Sequence, residues 1–233
     1  MKALEVPEVV LFDLDDTLLA NDMDVFLPAY FESLGNFARE RFASEPLIQA
    51  LQIATHAMMT TPGVRNDIVF WERFGPLLGG SRAELEPYFE QFYAQQFAAL
   101  RTCTQPVDGA LEVVEWFRAR GARLVLATNP VFPRSAIVHR LEWAGFAPDA
   151  FELLTTYDVM HTTKPDPGYY REILAHVAVA PERALMVGND LVNDIEPALA
   201  VGLATFHVVT GDTFDRERAR GSIRDWLTAL QVT

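Results

Sequence analysis

The sequence predicts an α/β protein: a Rossmann-like, doubly wound parallel sheet with an all-helical insertion. Three observations predict it. Short apolar runs recur like buried strands at 8–12 (EVVLF), 123–127 (RLVLA), 184–187 (ALMV) and 203–209 (LATFHVV), with a weaker one at 151–155 (FELLT). Each is too short for a helix, and turn residues bound it. Helical segments alternate with the later strands, the pattern of a parallel sheet with crossover helices. Between residues 19 and 105 the alternation stops, and no strand pattern returns until Arg123.

The first strand ends in three acids within four positions, Asp13, Asp15 and Asp16, in the stretch VVLFDLDDTLL. Two like charges about 4 Å apart repel by roughly 4 kcal/mol at an effective dielectric near 20, so the cluster needs water, a shared proton or a cation. The insertion comes next. DVFLPAYFESLGNFARERF aligns Leu27, Phe31, Leu34, Phe37 and Phe42, and PLIQALQIATHAMM aligns Leu47, Leu51, Ala54 and Met58. SRAELEPYFEQFYAQQFAAL begins with a Ser81–Glu84 capping box and stacks Leu85, Phe89, Phe92, Phe97 and Leu100. Residues 1–18 and 106–233 therefore read as a discontinuous core and 19–105 as a second, helical domain.

Past the insertion, GALEVVEWFRARG sets Leu111, Val114 and Phe117 on successive turns and stops at Gly121. RSAIVHRLEWAG stacks Ile137, Leu141 and Ala144. DPGYYREILAHV has Asp166 as N-cap, Pro167 at the first helical position, and Tyr170, Ile173, Leu174 and Val177 inward.

Composition narrows the partners. The 233 residues are 50% hydrophobic, enough to bury a core, and the formal net charge of −13 argues against nucleic acid or an anionic membrane. No apolar run approaches the ~18 residues of a membrane span. Lys2, Glu5, Pro7 and Glu8 break any signal-peptide core, and the lone Cys103 excludes an intrachain disulfide. The expectation is a soluble, cytoplasmic protein; oligomeric state is not written in the sequence.

In open α/β sheets the ligand crevice lies beyond the carboxyl ends of the strands, and the unusual polar residues fall there. Asp13 and Asp15 follow the first strand, Thr128 and Asn129 follow RLVLA, GNDLVND (188–194) follows ALMV, and Lys164 sits in HTTKPDPGYY. Asp13 and Asp15 with acids from Asp190 and Asp194 suit Mg²⁺, a hard cation that prefers oxygen ligands. Lys164 and the Thr128 hydroxyl suit a phosphoryl group. Two carboxylates one residue apart suit two-step chemistry, Asp13 attacking and Asp15 moving a proton. Asp16 reads instead as a solvent-facing turn residue. The five histidines show no metal-ligand spacing, the aromatic stripe at 88–97 reads as core of the insertion, and GPLLGG (75–80) reads as a loop.

These four clusters resemble the haloacid dehalogenase superfamily. FDLDDTL is similar to its first motif, Asp-x-Asp-x-Thr, with Asp13 as nucleophile and Asp15 as general acid/base. Thr128 in LATN is similar to the second, Lys164 in KPDPGYY to the third, and VGNDLVNDI to the metal-binding fourth. The resemblance implies a Rossmann-like core with a helical cap between the first and second motifs. It departs at one position: the family usually has Gly-Asp in the fourth motif, where Gly188 here precedes Asn189 and then Asp190. A neutral amide oxygen binds Mg²⁺ less well than a carboxylate, which favours Asp190 as the ligand with Asn189 assisting. The resulting expectation is a Mg²⁺-dependent phosphohydrolase acting on a small phosphorylated metabolite through an aspartyl-phosphate. Asp13, Asp15, Asn189 and Asp190 hold the metal with Asp194 in support, and Thr128, Asn129 and Lys164 hold the phosphoryl oxygens. A phosphomutase, a 2-haloacid dehalogenase or a non-catalytic phosphate-binding protein are the alternatives.

Overall fold

The computed structural model describes residues 6–211 and 213–232; Lys2 and Glu5 of the N-terminal stretch lie outside them. Val9–Phe12 (β1) is buried at all four positions, as a central parallel strand covered on both faces must be. Its side chains alternate. Val10 and Phe12 join one apolar cluster, and Val9 and Leu11 join another on the opposite face.

The insertion begins with a short strand, Leu19–Ala20 (β2), followed by four helices: Met23–Ala38 (α1), Ser44–Thr60 (α2), Asn66–Leu77 (α3) and Arg82–Gln95 (α4). It ends in a 3₁₀ segment, Phe97–Cys103, and a second short strand, Gln105–Pro106 (β3). β2 and β3 pair antiparallel, Leu19 opposite Pro106 and Ala20 opposite Gln105. Sequence alone holds no hint of these strands, because two residues show no period. It also hides α3: Gly75, Pro76 and Leu77, expected as loop, form its last turn. The capping box opens α4 as expected, with the Glu84 carboxylate accepting the Ser81 N–H at 2.9 Å, and Pro87 is carried inside that helix.

The core continues with Ala110–Arg118 (α5), Arg123–Leu126 (β4), Arg134–Trp143 (α6), Leu153–Leu154 (β5), Pro167–Val177 (α7), Ala184–Gly188 (β6), Glu196–Val201 (α8), Ala204–Val208 (β7), Arg220–Gly221 (β8) and Ile223–Gln231 (α9). Asp166 caps α7 through Gly168 N–H at 2.7 Å. In α5 the buried face is Ala110, Val113, Val114 and Phe117, while Leu111 is exposed; the expected stripe is turned by one residue.

Among the described residues, six strands form one sheet in the order β5-β4-β1-β6-β7-β8, with every pairing parallel. Phe12 lies level with Leu126 of β4 and with Val187 of β6. By this register, the residues just beyond all three strands meet at one edge. Among the described residues, no helix is long and apolar enough to cross a membrane.

Candidate active site

Asp13 is the first residue past β1 and is tied to the next strand by its N–H to Val187 O at 2.9 Å. Its side chain is buried, and its Oδ1 accepts from Lys164 Nζ at 2.7 Å. The same ammonium donates to Asp194 Oδ1 at 2.6 Å. Lys164 and Asp194 are both almost completely buried. One cation thus bridges two carboxylates, 151 positions away on one side and 30 on the other. Only the sheet edge unites them. Asp194 can approach so closely because residue 188 is glycine: a Cβ there would lie 2.3 Å from Asp194 Oδ2.

Asp15 faces a different cation. Its Oδ1 accepts from the guanidinium of Arg140 on α6 and from Asn21 Nδ2 at 2.8 Å. Arg140 is 1% exposed, flanked by the rings of Phe26 and Phe132 at 5.5 Å each, and its Nε has no hydrogen-bond partner among the described residues. Asp16 takes φ of 55° and accepts Asn21 N–H at 2.9 Å, a turn residue as expected. Thr128 and Asn129 follow β4. The Thr128 carbonyl is pinned by Thr155 Oγ1 at 2.7 Å and Tyr169 Oη at 2.8 Å, which fixes the loop presenting its side chain.

The fourth cluster divides its labour. Asp190 caps the π-helical turn Leu191–Ile195: its Oδ1 accepts Val192 N–H at 2.8 Å and Asn193 N–H at 3.0 Å, and its Oδ2 accepts Asn193 Nδ2 at 2.8 Å. Asn189 instead sits over the first motif, with its Oδ1 3.4 Å from Thr17 Oγ1. Among the described residues, no three His, Cys, Asp or Glu side chains gather in a metal-holding arrangement. The structure therefore brings Asp13, Lys164 and Asp194 together and sets Asp15, Thr128 and Asn129 along one cavity wall. It commits Asp190 to its own helix.

A profile of haloacid dehalogenase-like hydrolases matches residues 7–202. The chain belongs to that family. This hydrolase is 26% identical to a phosphonoacetaldehyde hydrolase of Bacillus cereus (strain AH187), over 88% of this chain and 77% of that one. It is 29% identical to a phosphoserine phosphatase of Thermus thermophilus, over 88% and 89%. In fold it resembles a 2-haloacid dehalogenase from Pseudomonas syringae, with a TM-score of 0.62, 18% identity and coverage of 97% and 98%. The haloacid dehalogenase-like hydrolase is thus an enzyme whose relatives include phosphatases.

Burial pushes the Asp13 carboxyl of this hydrolase up to about 7 against the pull of Lys164, and the Asp194 and Asp15 carboxylates add to the rise. Burial works against the Lys164 charge, but Asp13 and Asp194 outweigh it and hold its ammonium well above the usual lysine value. Asp190 lies below the usual aspartate value: its burial is outweighed by the Asn193 and Val192 donors. A raised Asp13 pKa means that the folded chain holds that proton more tightly than the unfolded chain. The stability it contributes is complete below the unfolded value of 3.8 and is lost as pH rises through about 7. In metal-free buffer, Tm should fall between about pH 5 and 8, and Asp13→Asn should flatten the fall. A wild-type Tm profile unchanged by Asp13→Asn would contradict this.

Arg140 is the residue that reading the sequence missed. A signal for it exists, since Ala136, Ile137, Arg140 and Leu141 share the buried face of α6. An arginine in a core position of a helix rarely stays buried without a carboxylate partner.

Of the other polar residues near the insertion, Asn66 docks α3 on the core by donating Nδ2 to Pro130 O at 3.1 Å, and Arg65 is engaged by Asp67 at 2.6 Å.

Proposed function

We propose that the chain is a Mg²⁺-dependent phosphomonoesterase working through an aspartyl-phosphate on Asp13. The observation that supports it best is the Lys164 ammonium bridging Asp13 and Asp194 beyond β1. A buried carboxylate with one oxygen engaged by a cation is oriented for attack through the other. Lys164 engages Asp13 at Oδ1, which leaves Oδ2 to attack.

In the first step an Asp13 oxygen forms a bond to phosphorus, and the phosphorus–ester oxygen bond breaks. Asp15 gives a proton to the departing alcohol. In the second step Asp15 takes a proton from water, whose oxygen bonds to phosphorus. The Asp13–phosphorus linkage breaks, releasing inorganic phosphate and restoring the carboxylate. Lys164, Thr128 and the Asn129 N–H stabilise charge on the equatorial oxygens. Residues 19–105 act as a cap over the site, an arrangement in which opening and closing set access.

The donors at the site are oxygens only, which fits Mg²⁺. Asp13, Asp15 and Asn189 would hold it, and it would neutralise charge on the phosphoryl group. Asp190 joins this set only by giving up its helix cap. The two readings of the fourth motif separate by mutation. Asn189→Asp should lower the Mg²⁺ concentration for half-maximal activity by about tenfold, because it adds a ligand charge. Asp190→Ala should leave that concentration within about twofold and cost about 1 kcal/mol of stability as a lost cap. The reverse pattern would make Asp190 the ligand.

Release of phosphate from an aryl phosphate, with Mg²⁺ and with EDTA, tests the proposal. Metal-dependent release is the expected result. Release that persists in EDTA would overturn the metal, and silence at every Mg²⁺ concentration would overturn the phosphomonoesterase.

A further inference from the structure

A cavity of about 490 Å³ opens from the candidate site into the helical insertion, a volume that accommodates a drug-sized ligand. Asp15, Thr128, Asn129 and Arg140 are among its lining residues, so it reaches Asp15, two positions from Asp13, and the loop after β4. The remaining wall is mostly apolar, with Phe31, Leu51, Met59, Trp71 and Phe89 from α1 to α4, and Gln52, Thr55 and His56 of α2 are polar side chains within it.

The charges on this wall are the second observation. Arg140 is the sole arginine or lysine among the described lining residues, and Asp15 already takes it. The insertion contributes two carboxylates to the lining, Glu86 and Glu90. Arg82 lies nearby, but its guanidinium is directed to Glu86 and Asp67 at 2.8 Å and does not line the cavity. Glu86 is thus compensated, and a second phosphate in this space would meet the Glu90 carboxylate with no unpaired arginine or lysine among the described lining residues. A sugar would bring several hydroxyls to a mostly apolar wall on which Gln52, Thr55 and His56 sit together on α2, and each buried hydroxyl left unpaired costs binding.

We propose that the substrate is a phosphate monoester with a bulky, apolar and uncharged leaving group, its phosphoryl end toward Asp13 and its hydrocarbon in the insertion cavity. This substrate class rests on the phosphomonoesterase reading above. It sets aside bisphosphates and, with them, the mutase alternative. Discrimination arises on the hydrocarbon side, where each methylene missing from a fitted pocket lowers kcat/KM by about tenfold or more.

The test compares hexyl phosphate with glucose 6-phosphate. Both release an unactivated six-carbon primary alcohol, so the comparison reads the cavity and not leaving-group acidity. With Mg²⁺ present, kcat/KM for hexyl phosphate should exceed that for glucose 6-phosphate by about a hundredfold. Met59→Lys, at a position on α2 that is 47% exposed, places a cation in the cavity at little risk to folding. It should lower that ratio by about tenfold or more. Binding is measured separately, by quenching of Trp71 fluorescence in Asp13→Asn, with Trp71→Phe as the control.

Hexyl phosphate that quenches Trp71 without being hydrolysed by wild type would retain the apolar class and overturn the hydrolase. Equal or better turnover of glucose 6-phosphate, or of fructose 1,6-bisphosphate, would retain the hydrolase and overturn the apolar class. Hexyl phosphate that neither quenches Trp71 nor is hydrolysed overturns the apolar class as well.

Discussion

Asp13→Asn should reduce phosphate release by at least about a thousandfold, since an amide oxygen is a far weaker nucleophile than a carboxylate. The substitution is nearly isosteric. Its carbonyl oxygen can still accept from Lys164, whose Nζ lies 2.7 Å from Asp13 Oδ1. The variant should therefore remain folded, with a urea midpoint no lower than wild type at about pH 8, where the buried carboxylate opposes folding. That separates a chemical defect from a structural one. A variant keeping more than a few per cent of wild-type turnover would show that Asp13 does not attack phosphorus.

Lys164→Met should have the largest effect on stability. It leaves Asp13 and Asp194 buried together with no cation between them, and breaking a buried pair from one side costs about 3–5 kcal/mol. The measurement is the urea midpoint at about pH 7.5, read with the slope to confirm two-state unfolding. Charge carries the penalty, so Lys164→Met/Asp194→Asn should be more stable than Lys164→Met alone, a non-additive result expected for side chains in direct contact. Lys164→Met should also recover stability when pH drops to about 5, as Asp13 protonates. A loss below about 1 kcal/mol would mean that solvent reaches the two acids and that the bridge holds little together.

The sequence is most legible where a single physical cause dominates a stretch of chain. β1, β4 and β6 announce themselves because strands buried on both faces have no polar alternation to confuse, while β7, buried at Phe206 and Val208 only, shows as a short β-branched and aromatic run. Their common edge then explains why Asp13, Thr128 and the fourth cluster converge. Other features depend on contacts far away. β2 and β3 exist only because each finds the other. The helix α3 begins where Asn66 docks on the core, a contact that no local period encodes. α9 carries a local signal of its own, since Ile223, Trp226, Leu227 and Leu230 recur at helical spacing. At the site, Asp13 and Lys164 are marked by position. Which of Asn189 and Asp190 turns inward is not, because counting residues ignores the two backbone N–H groups that claim Asp190. The pairing of Asp15 with Arg140 is likewise hidden by the 125 positions between them.

The antiparallel pairing of Leu19 with Pro106 and of Ala20 with Gln105 carries a consequence for how such a chain can change over generations. The two ends of the insertion lie as close as the arms of a hairpin, so everything between them is, in topology, one long loop. Lengthening, shortening or replacing a loop with adjoining ends alters closure entropy only slowly and need not shift the register of any strand in the large sheet. The helical insertion can therefore be rewritten by recombination at one paired ribbon, while Asp13, Asp15 and Lys164 at the edge of the large sheet are inherited untouched.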